Sequence, residues 1–206
     1  MTKKPALIAS DLEGVFVPEI WVAVAEKTGI EQLRLTTREI PDYNQLMQGR
    51  LALLREHGLT LRDIQDVIDT IAPLPGARAF LDELRSHSQV VILSDTFYEF
   101  AMPLMRQLGL PTLFCHSLLV DERGMITSYR LRQPDGKTEA VRAFKALGFR
   151  VLAMGDSYND TGMLGEAETG VLFHAPANVI AEFPQFLVID DYATLRSTVD
   201  AFLAVE

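Results

Sequence analysis

The sequence predicts an α/β fold: a doubly wound parallel sheet with a small helical cap inserted after the first strand. Three observations lead to this prediction. Short, continuous apolar runs recur along the chain, helix-like patterns separate most of them, and one long stretch near the start contains no strand pattern. Continuous apolar runs are typical of strands buried on both faces, and their alternation with helices is typical of a parallel sheet.

The strands are predicted where apolar runs stop at polar or turn-forming residues. In chain order they are Ala6–Ser10, Val90–Leu93, Leu113–Cys115, Val151–Met154, Gly170–Phe173 and Leu187–Ile189. A turn at Asp121–Gly124 predicts a hairpin within Leu118–Leu131. Apolar residues at helical spacing predict core helices at Arg78–Arg85, Thr138–Leu147 and Tyr192–Leu203.

The strand-free stretch predicts the cap, over residues 18–73. Its helical segments are expected at Glu19–Thr28, Glu31–Leu35, Tyr43–His57 and Leu61–Ile71. Thr60, with Asp63 three residues later, resembles a helix start signal. Pro73–Gly76 then marks a return to the core, which is predicted to comprise residues 1–17 and 74–206.

Composition excludes several classes of function. The 206 residues carry 19 basic and 28 acidic side chains, a net charge of −9, which disfavours a nucleic-acid partner. A single cysteine, Cys115, excludes an internal disulfide and a cysteine-based zinc cluster, and suits a reducing compartment. Lys3 and Lys4 precede an apolar run that Asp11 ends too early for a signal peptide, and no run is long enough for a membrane span. We therefore expect a cytoplasmic protein with no membrane partner; a homodimer is compatible with the sequence.

Polar side chains follow three of the predicted strands. They are Asp11 and Glu13 after the first, Ser94 and Asp95 after the second, and Asp156, Asn159 and Asp160 after the fourth. Each one alone is typical of a helix N-cap. Because the carboxyl ends of parallel strands meet at one edge of a sheet, the whole set instead predicts a ligand site there.

Clustered carboxylates indicate a cation, since they otherwise repel one another. Oxygen ligands without cysteine favour Mg²⁺. Magnesium beside a carboxylate nucleophile fits phosphoryl transfer, in which Lys137 would supply positive charge and Glu13 would carry the proton.

These residues resemble the four motifs of the haloacid dehalogenase superfamily, which has a Rossmann-like core. The motifs are Asp11–Val15, Ser94, Lys137 and Gly155–Asp160, in order and across the whole chain. The helical insert is similar to the cap of the phosphoserine phosphatase branch. The stretches Asp11–Trp21, Leu93–Phe100, Gly155–Asp160 and Phe173–Ala177 are similar to members of that branch that also transfer the phosphoryl group to homoserine.

The resemblance implies a role for each matching residue. Asp11 would be the nucleophile, and the Glu13 side chain would be the general acid and base. The Mg²⁺ site would comprise Asp11, the backbone carbonyl of Glu13, Asp156 and Asp160. The phosphoryl group would contact Ser94, Lys137 and Asn159, and the substrate-binding stretch after Ser94 would include Asp95 and Thr96.

Two residues depart from the family pattern. Glu13 stands where the family has Asp, and the longer side chain moves the carboxyl group of the proton donor by about one methylene. Asp95 follows the motif serine where a small residue is usual, and we expect it to cap the next helix.

Two cap residues indicate the substrate. In phosphoserine phosphatases a cap glutamate and a cap arginine bind the ammonium and carboxylate groups, and Glu19 and Arg50 align with them. The plainer alternatives are a first-turn acid for Glu19 and a solvated helix face for Arg50. Phe16, Trp21 and Met47 would either line this pocket or form the cap core.

Alternative functions remain open. A receiver-like phospho-acceptor domain shares the acid, hydroxyl and lysine set but needs no cap, and a phosphatase of another phosphomonoester would have no use for Glu19 and Arg50. A nucleotide kinase lacks its phosphate-binding loop here. The other single residues are predicted to be structural: His174 near the rim, His57, His87 and His116 without metal spacing, and a buried, inert Cys115.

Overall fold

The structure, a computed structural model, describes residues 4–36, 39–40 and 42–205. Lys3, which entered the signal-peptide argument, lies outside them. The described residues form a seven-stranded sheet in the order β4-β3-β2-β1-β5-β6-β7, in which only β4 runs antiparallel. The predicted α/β class with a doubly wound, mostly parallel sheet is confirmed.

The strands lie where the apolar runs predict them. Their bounds are β1 Ala6–Ser10, β2 Gln89–Phe97, β3 Thr112–Val120, β4 Ile126–Arg130, β5 Arg150–Gly155, β6 Thr169–Phe173 and β7 Leu187–Ile189. β3 and β4 form the predicted hairpin, and its turn is closed by the Gly124 N–H, which donates to the Asp121 carbonyl at 2.9 Å.

The predicted helices are present to within a few residues, and the core has three helices that the sequence analysis did not delimit, after β2, β5 and β6. Those of the core are α4 Ala77–His87, α5 Tyr98–Gln107, α6 Gly136–Ala146, α7 Thr161–Glu166, α8 Ala177–Glu182 and α9 Tyr192–Ala204. The stretch after β1 contains α1 Ile20–Thr28, a 3₁₀ turn at Glu31–Arg34, α2 Tyr43–Glu56 and α3 Leu61–Ile68. Thr60 and Asp63 form the predicted capping box at the start of α3.

Helices cover both faces of the sheet, which explains the unbroken apolar runs. In β1, Ile8 belongs to one buried cluster, whereas Leu7 and Ala9 belong to the other. The first cluster receives side chains from α4, α5 and α9, and the second from α6, α7 and α8. Successive side chains of a strand point to opposite faces, so the side chains on both faces of β1 must be apolar.

The helices between β1 and α4 pack on the core rather than standing apart from it. Their buried residues, such as Val24 and Ile64, share one cluster with Phe100 of α5. The chain leaves the core near Phe16 and re-enters it near Leu74. These two points are adjacent, since the Leu74 N–H donates a hydrogen bond to the Phe16 carbonyl at 2.9 Å. The division at residues 17/18 and 73/74 stays a prediction, and residues 37, 38 and 41 of the predicted cap lie outside the described residues.

No helix in the described ranges combines the length and the apolar character that crossing a membrane requires.

Candidate active site

The carboxyl ends of β1 and β5 bring three aspartates together. Asp11 follows β1 directly, and Asp156 and Asp160 follow β5, which pairs with β1. Carboxylate oxygens of Asp11, Asp156 and Asp160 lie within 4.8 Å of one another. The sequence therefore predicted this convergence correctly from strand ends that are about 145 residues apart in the chain.

Lys137 lies at the centre of this acidic cluster. It stands in the first turn of α6, is only 4% exposed, and has its Nζ 2.7 Å from Asp160 Oδ1 and 3.0 Å from Asp11 Oδ1. Burial alone would lower the pKa of Lys137, but Asp11, Asp160 and Asp95 together raise it well above its usual value. The lysine is thus a permanent cation.

The two oxygens of Asp11 are in different environments. Oδ1 accepts a hydrogen bond from the Leu12 N–H at 2.7 Å and pairs with Lys137, whereas Oδ2 has no hydrogen bond among the described residues. Burial, with the neighbouring Asp160 carboxylate, raises the pKa of Asp11 well above its usual range, and Lys137 opposes that rise. One oxygen is anchored and the other is available.

Asp160 is fully buried and is already held by the protein. Its Oδ1 binds Lys137, and its Oδ2 accepts from the Asp156 and Ser157 N–H groups at 3.0 and 3.1 Å. Burial and the Asp160 charge raise the pKa of Asp156 to about 7. The donor set of Asp11, Asp156 and Asp160 fits a hard divalent cation, because three crowded carboxylates are relieved by one.

Glu13 points from the β1 end toward the cap. Its Oε2 accepts a hydrogen bond from the Ile20 N–H, at the start of α1, at 2.8 Å. Burial and the Glu19 carboxylate raise the pKa of Glu13 to about 8, although the Ile20 N–H and Lys137 work against this. Glu13 therefore holds its proton at neutral pH, and the longer Glu arm reaches the cap helix.

The second strand extends further than the sequence indicated. β2 continues to Phe97, and its pairing with β3 shifts register between Leu93 and Phe97. Ser94 and Thr96 are both buried in this irregular segment, and the Thr96 N–H donates to Ser94 Oγ at 3.2 Å. Such an irregularity re-aims side chains at a strand end.

The expectation that Asp95 caps the next helix is wrong. Helix α5 begins after Phe97 with no side-chain cap, and Asp95 faces the site instead. Its Oδ2 accepts from Asn159 Nδ2 at 2.7 Å and lies 3.8 Å from Lys137 Nζ. Burial opposes ionisation of Asp95, but Lys137, His116 and Asn159 outweigh it and hold its pKa below the usual range.

Sequence reasoning treated His116 only as a structural residue, but it is buried beside Asp95. Its Nε2 lies 3.6 Å from Asp95 Oδ1, and its Nδ1 accepts from the Arg132 N–H at 3.1 Å. Sequence reasoning missed Tyr43, which lies in the first turn of α2. The Tyr43 hydroxyl donates a hydrogen bond to the Asp95 carbonyl at 3.2 Å. Neither residue has a short-range motif, so only the tertiary structure reveals them.

Arg50 lies inside the protein, and the alternative of a solvated helix face is wrong. It is 7% exposed, its guanidinium carbon lies 4.5 Å from the centre of the Trp21 ring, and Nη2 donates to the Leu35 carbonyl at 2.7 Å. Burial lowers the pKa of Arg50 to about 10, although the Glu13, Tyr43 and Glu19 charges act in the opposite direction. Its buried Nε has no hydrogen-bond partner among the described residues.

Glu19 occupies the N-cap position of α1 but makes no side-chain capping bond there. It is exposed, and its charge acts on both Glu13 and Asp156. Glu13, Glu19 and Arg50 therefore lie near enough for their charges to interact, and Glu19 also lies near Asp156 of the aspartate cluster.

The remaining predictions concern packing. Phe16 and Met47 are fully buried in the apolar cluster, and Trp21 is 9% exposed beneath Arg50. Cys115 is buried, and burial raises the pKa of its thiol, as an inert cysteine requires. His174 is exposed just after β6 with a φ of 53°.

Fold and site together define a haloacid dehalogenase-type hydrolase. Residues 6–168 match the family described as haloacid dehalogenase-like hydrolase. The chain therefore belongs to this family, as its motifs predict.

Among its relatives, the chain is 64% identical over 186 residues to a phosphoserine phosphatase of Pseudomonas syringae pv. tomato, covering 90% of this chain and 78% of the relative. It is 62% identical over 186 residues to phosphoserine phosphatase ThrH of Pseudomonas aeruginosa, covering 90% of this chain and 91% of the relative.

Solved structures share the fold. A substrate-bound phosphoserine phosphatase complex superposes with a TM-score of 0.76 at 22% identity, covering 97% of this chain and 99% of the other. The phosphoserine phosphatase of T. onnurineus gives a TM-score of 0.73 at 23% identity, covering 98% and 96%.

Proposed function

We propose that this chain is a Mg²⁺-dependent phosphoserine phosphatase that works through an aspartyl-phosphate and also transfers the phosphoryl group to homoserine. The observation that carries the proposal is Arg50, a buried guanidinium with an unpartnered Nε, whose charge interacts with those of Glu13 and Glu19. The relatives named phosphoserine phosphatase support the same substrate.

The cap charges suit an amino-acid phosphate. Phosphoserine carries a carboxylate and an ammonium group beyond its phosphate. An arginine fork binds a carboxylate strongly, and the Glu19 carboxylate would take the ammonium. A sugar phosphate has neither group, and leaving the buried Arg50 Nε without a partner would be costly.

The phosphate end would meet the core residues. Ser94 and Asn159 would donate hydrogen bonds to phosphoryl oxygens, and Lys137 would neutralise their charge together with that of Asp11. Asp11, the Glu13 backbone carbonyl, Asp156 and Asp160 would hold Mg²⁺, which when bound supplies further neutralisation of the phosphoryl oxygens.

In the first half-reaction, the available Oδ2 of Asp11 attacks phosphorus, and the bond from phosphorus to the seryl oxygen breaks. Glu13 donates its proton to the departing oxygen. Because the pKa of Glu13 is raised to about 8, the acid form is already present at neutral pH. Serine leaves, and the aspartyl-phosphate remains.

In the second half-reaction, Glu13 takes a proton from the acceptor as the acceptor attacks the aspartyl-phosphate. Water yields inorganic phosphate, and the homoserine hydroxyl yields O-phosphohomoserine. Homoserine exceeds serine by one methylene, which a pocket discriminates by only about 1–3 kcal/mol, so Glu19 and Arg50 would hold either one.

The experiment is an assay of the purified protein with Mg²⁺ and O-phosphoserine, with and without homoserine. Free phosphate and O-phosphohomoserine are both quantified. Asp11→Asn should abolish both products, and the matched variant Asp200→Asn, on the exposed face of α9, should abolish neither.

The products separate the alternatives. Phosphohomoserine formed at the expense of phosphate supports a shared aspartyl-phosphate, and phosphate alone refutes the transfer activity. Hydrolysis of other phosphomonoesters but not phosphoserine would overturn the roles given to Glu19 and Arg50.

We further propose that residues 18–73 act as the cap and residues 1–17 and 74–206 as the catalytic core. The adjacent crossings at Phe16 and Leu74 support this division.

A further inference from the structure

A polar network at the rim of the site joins Asp95, whose side chain is partly exposed, to the buried His116 on one side and to the exposed Asn159 on the other. We propose that Asp95 is a positioning residue, held by His116, that fixes the Asn159 amide for contact with the transferred phosphoryl group. This inference rests on the proposed function, because it assumes that a phosphoryl group binds beside Asn159.

Contacts other than the one with Asp95 hold the His116 ring in place. Its Nδ1 accepts the Arg132 N–H at 3.1 Å, which places the ring proton on Nε2. His116 is 6% exposed, and its ring packs near the rings of Phe97 and Tyr43, at centroid distances of 6.2 and 6.5 Å. The Nε2–H group therefore faces Asp95 Oδ1, 3.6 Å away.

Hydrogen bonds at both ends of the side-chain amide set the orientation of Asn159. Nδ2 donates to Asp95 Oδ2 at 2.7 Å, and Oδ1 accepts the Ser157 hydroxyl. Together they set which end of the amide is the donor. They leave the second Nδ2 hydrogen without an acceptor among the described residues, and so available to a phosphoryl oxygen.

This geometry explains why a carboxylate stands beside a phosphate site. A negative charge there opposes phosphate binding, and Lys137 Nζ, 3.8 Å from Asp95, offsets part of that cost. Asp95 faces two donors: its Oδ2 accepts a hydrogen bond from Asn159 Nδ2, and its Oδ1 lies 3.6 Å from the His116 Nε2–H group. Only a carboxylate accepts on both sides, because an asparagine would turn its own amide hydrogens toward one of the two donors.

A double-mutant cycle tests the coupling, with phosphoserine and p-nitrophenyl phosphate as substrates. Asp95→Ala should lower kcat/KM by about 10–100-fold, mostly through kcat, since it removes a hydrogen bond to a charged group. In an Asn159→Ala background, Asp95→Ala should lower kcat/KM by less than about threefold, because the amide that Asp95 positions is absent. Asp95→Asn should lose about as much as Asp95→Ala, and Glu122→Ala, which removes an exposed charge, should keep wild-type activity.

A second readout does not depend on turnover. Nitrogen NMR of the histidine rings should show His116 as the neutral Nε2–H tautomer in the wild type, with a shifted Nε2 signal in Asp95→Asn. The thermal midpoint of each variant separates a folding defect from a loss of kcat in folded enzyme.

The outcomes are distinct. Equal effects of Asp95→Ala in both backgrounds, an unchanged kcat, or an Nδ1–H tautomer of His116 would overturn the positioning role and leave the proposed function standing. A wild-type protein that hydrolyses p-nitrophenyl phosphate but not phosphoserine would overturn the proposed substrate. The double-mutant cycle would then still be measured with p-nitrophenyl phosphate. A wild type inactive on both would overturn the proposed function and this inference with it.

Discussion

Gly14 allows a direct test of the metal site, because its backbone lies against a proposed ligand. Its φ is +74°, and a Cβ atom added there would lie 2.3 Å from Asp156 Oδ2 and 3.0 Å from Asp156 Cβ. Gly14→Ala must therefore push the Asp156 carboxylate out of place. Gly29 has nearly the same φ, +72°, but a Cβ there meets nothing within 4 Å.

Comparison of Gly14→Ala with Gly29→Ala separates the effect of backbone strain from the effect of displacing the Asp156 carboxylate. Both alanines adopt a left-handed conformation, which costs about 1–2 kcal/mol of the free energy of unfolding. Only Gly14→Ala should also weaken Mg²⁺ binding, and disturbance of a ligand's surroundings typically reduces metal affinity by about 10–100-fold. A displaced Asp156 should reach at least the upper end of that range.

The assay is thermal unfolding with and without Mg²⁺. At a concentration 100 times the wild-type Kd, the ion should stabilise the wild type and Gly29→Ala by about 2.7 kcal/mol, and Gly14→Ala, with a 100-fold weaker site, by about 0.4 kcal/mol. For a chain of this length, that is an increase in Tm of about 5–10 °C against about 1–2 °C. An undiminished Mg²⁺ effect in Gly14→Ala, or its loss in Gly29→Ala, would refute the reasoning.

Four further predictions concern the cap and the proton donor. Because the pKa of Glu13 is raised to about 8 and its acid form is needed first, kcat/KM should fall about tenfold per pH unit above 8. Glu19→Gln should move this fall to lower pH, since the Glu19 carboxylate contributes to the raised pKa; a profile that stays in place would contradict that cause. Arg50→Met should raise KM for phosphoserine about 10–100-fold while sparing p-nitrophenyl phosphate, which has no carboxylate, and equal losses on both substrates would count against the substrate assignment. Tyr43→Phe removes the hydrogen bond to the Asp95 carbonyl and should lower the free energy of unfolding in urea by about 0.5–1.5 kcal/mol; an unchanged value would mean that this contact between α2 and β2 contributes nothing.

Strand positions followed from local composition. The runs Ala6–Ser10 and Leu187–Ile189 match β1 and β7 to the residue. Strands buried on both faces must be apolar throughout, so their limits are visible in the sequence. The convergence of Asp11 and Asp156 followed as well, because parallel neighbours end at the same edge.

Some local signals were incomplete for a physical reason. Ser94, Asp95 and Thr96 end the apolar run, yet β2 continues through them to Phe97 with irregular pairing. A polar residue continues a strand when the partner strand and the site accept it, and neither is visible in a window of a few residues.

The sequence by itself determined the fold class, the order of the elements and the residue types of the acidic cluster, because these depend on burial patterns and short motifs. Only the tertiary structure decided the partners of individual side chains. Asp95 could have capped a helix, but the strand order brings His116 and Asn159 beside it, and its carboxylate accepts a hydrogen bond from Asn159 instead. Arg50 could have been solvated, but it is enclosed by Trp21 and the Leu35 carbonyl. A side chain's neighbours depend on contacts between residues far apart in the chain, and local propensity contains no information about those contacts.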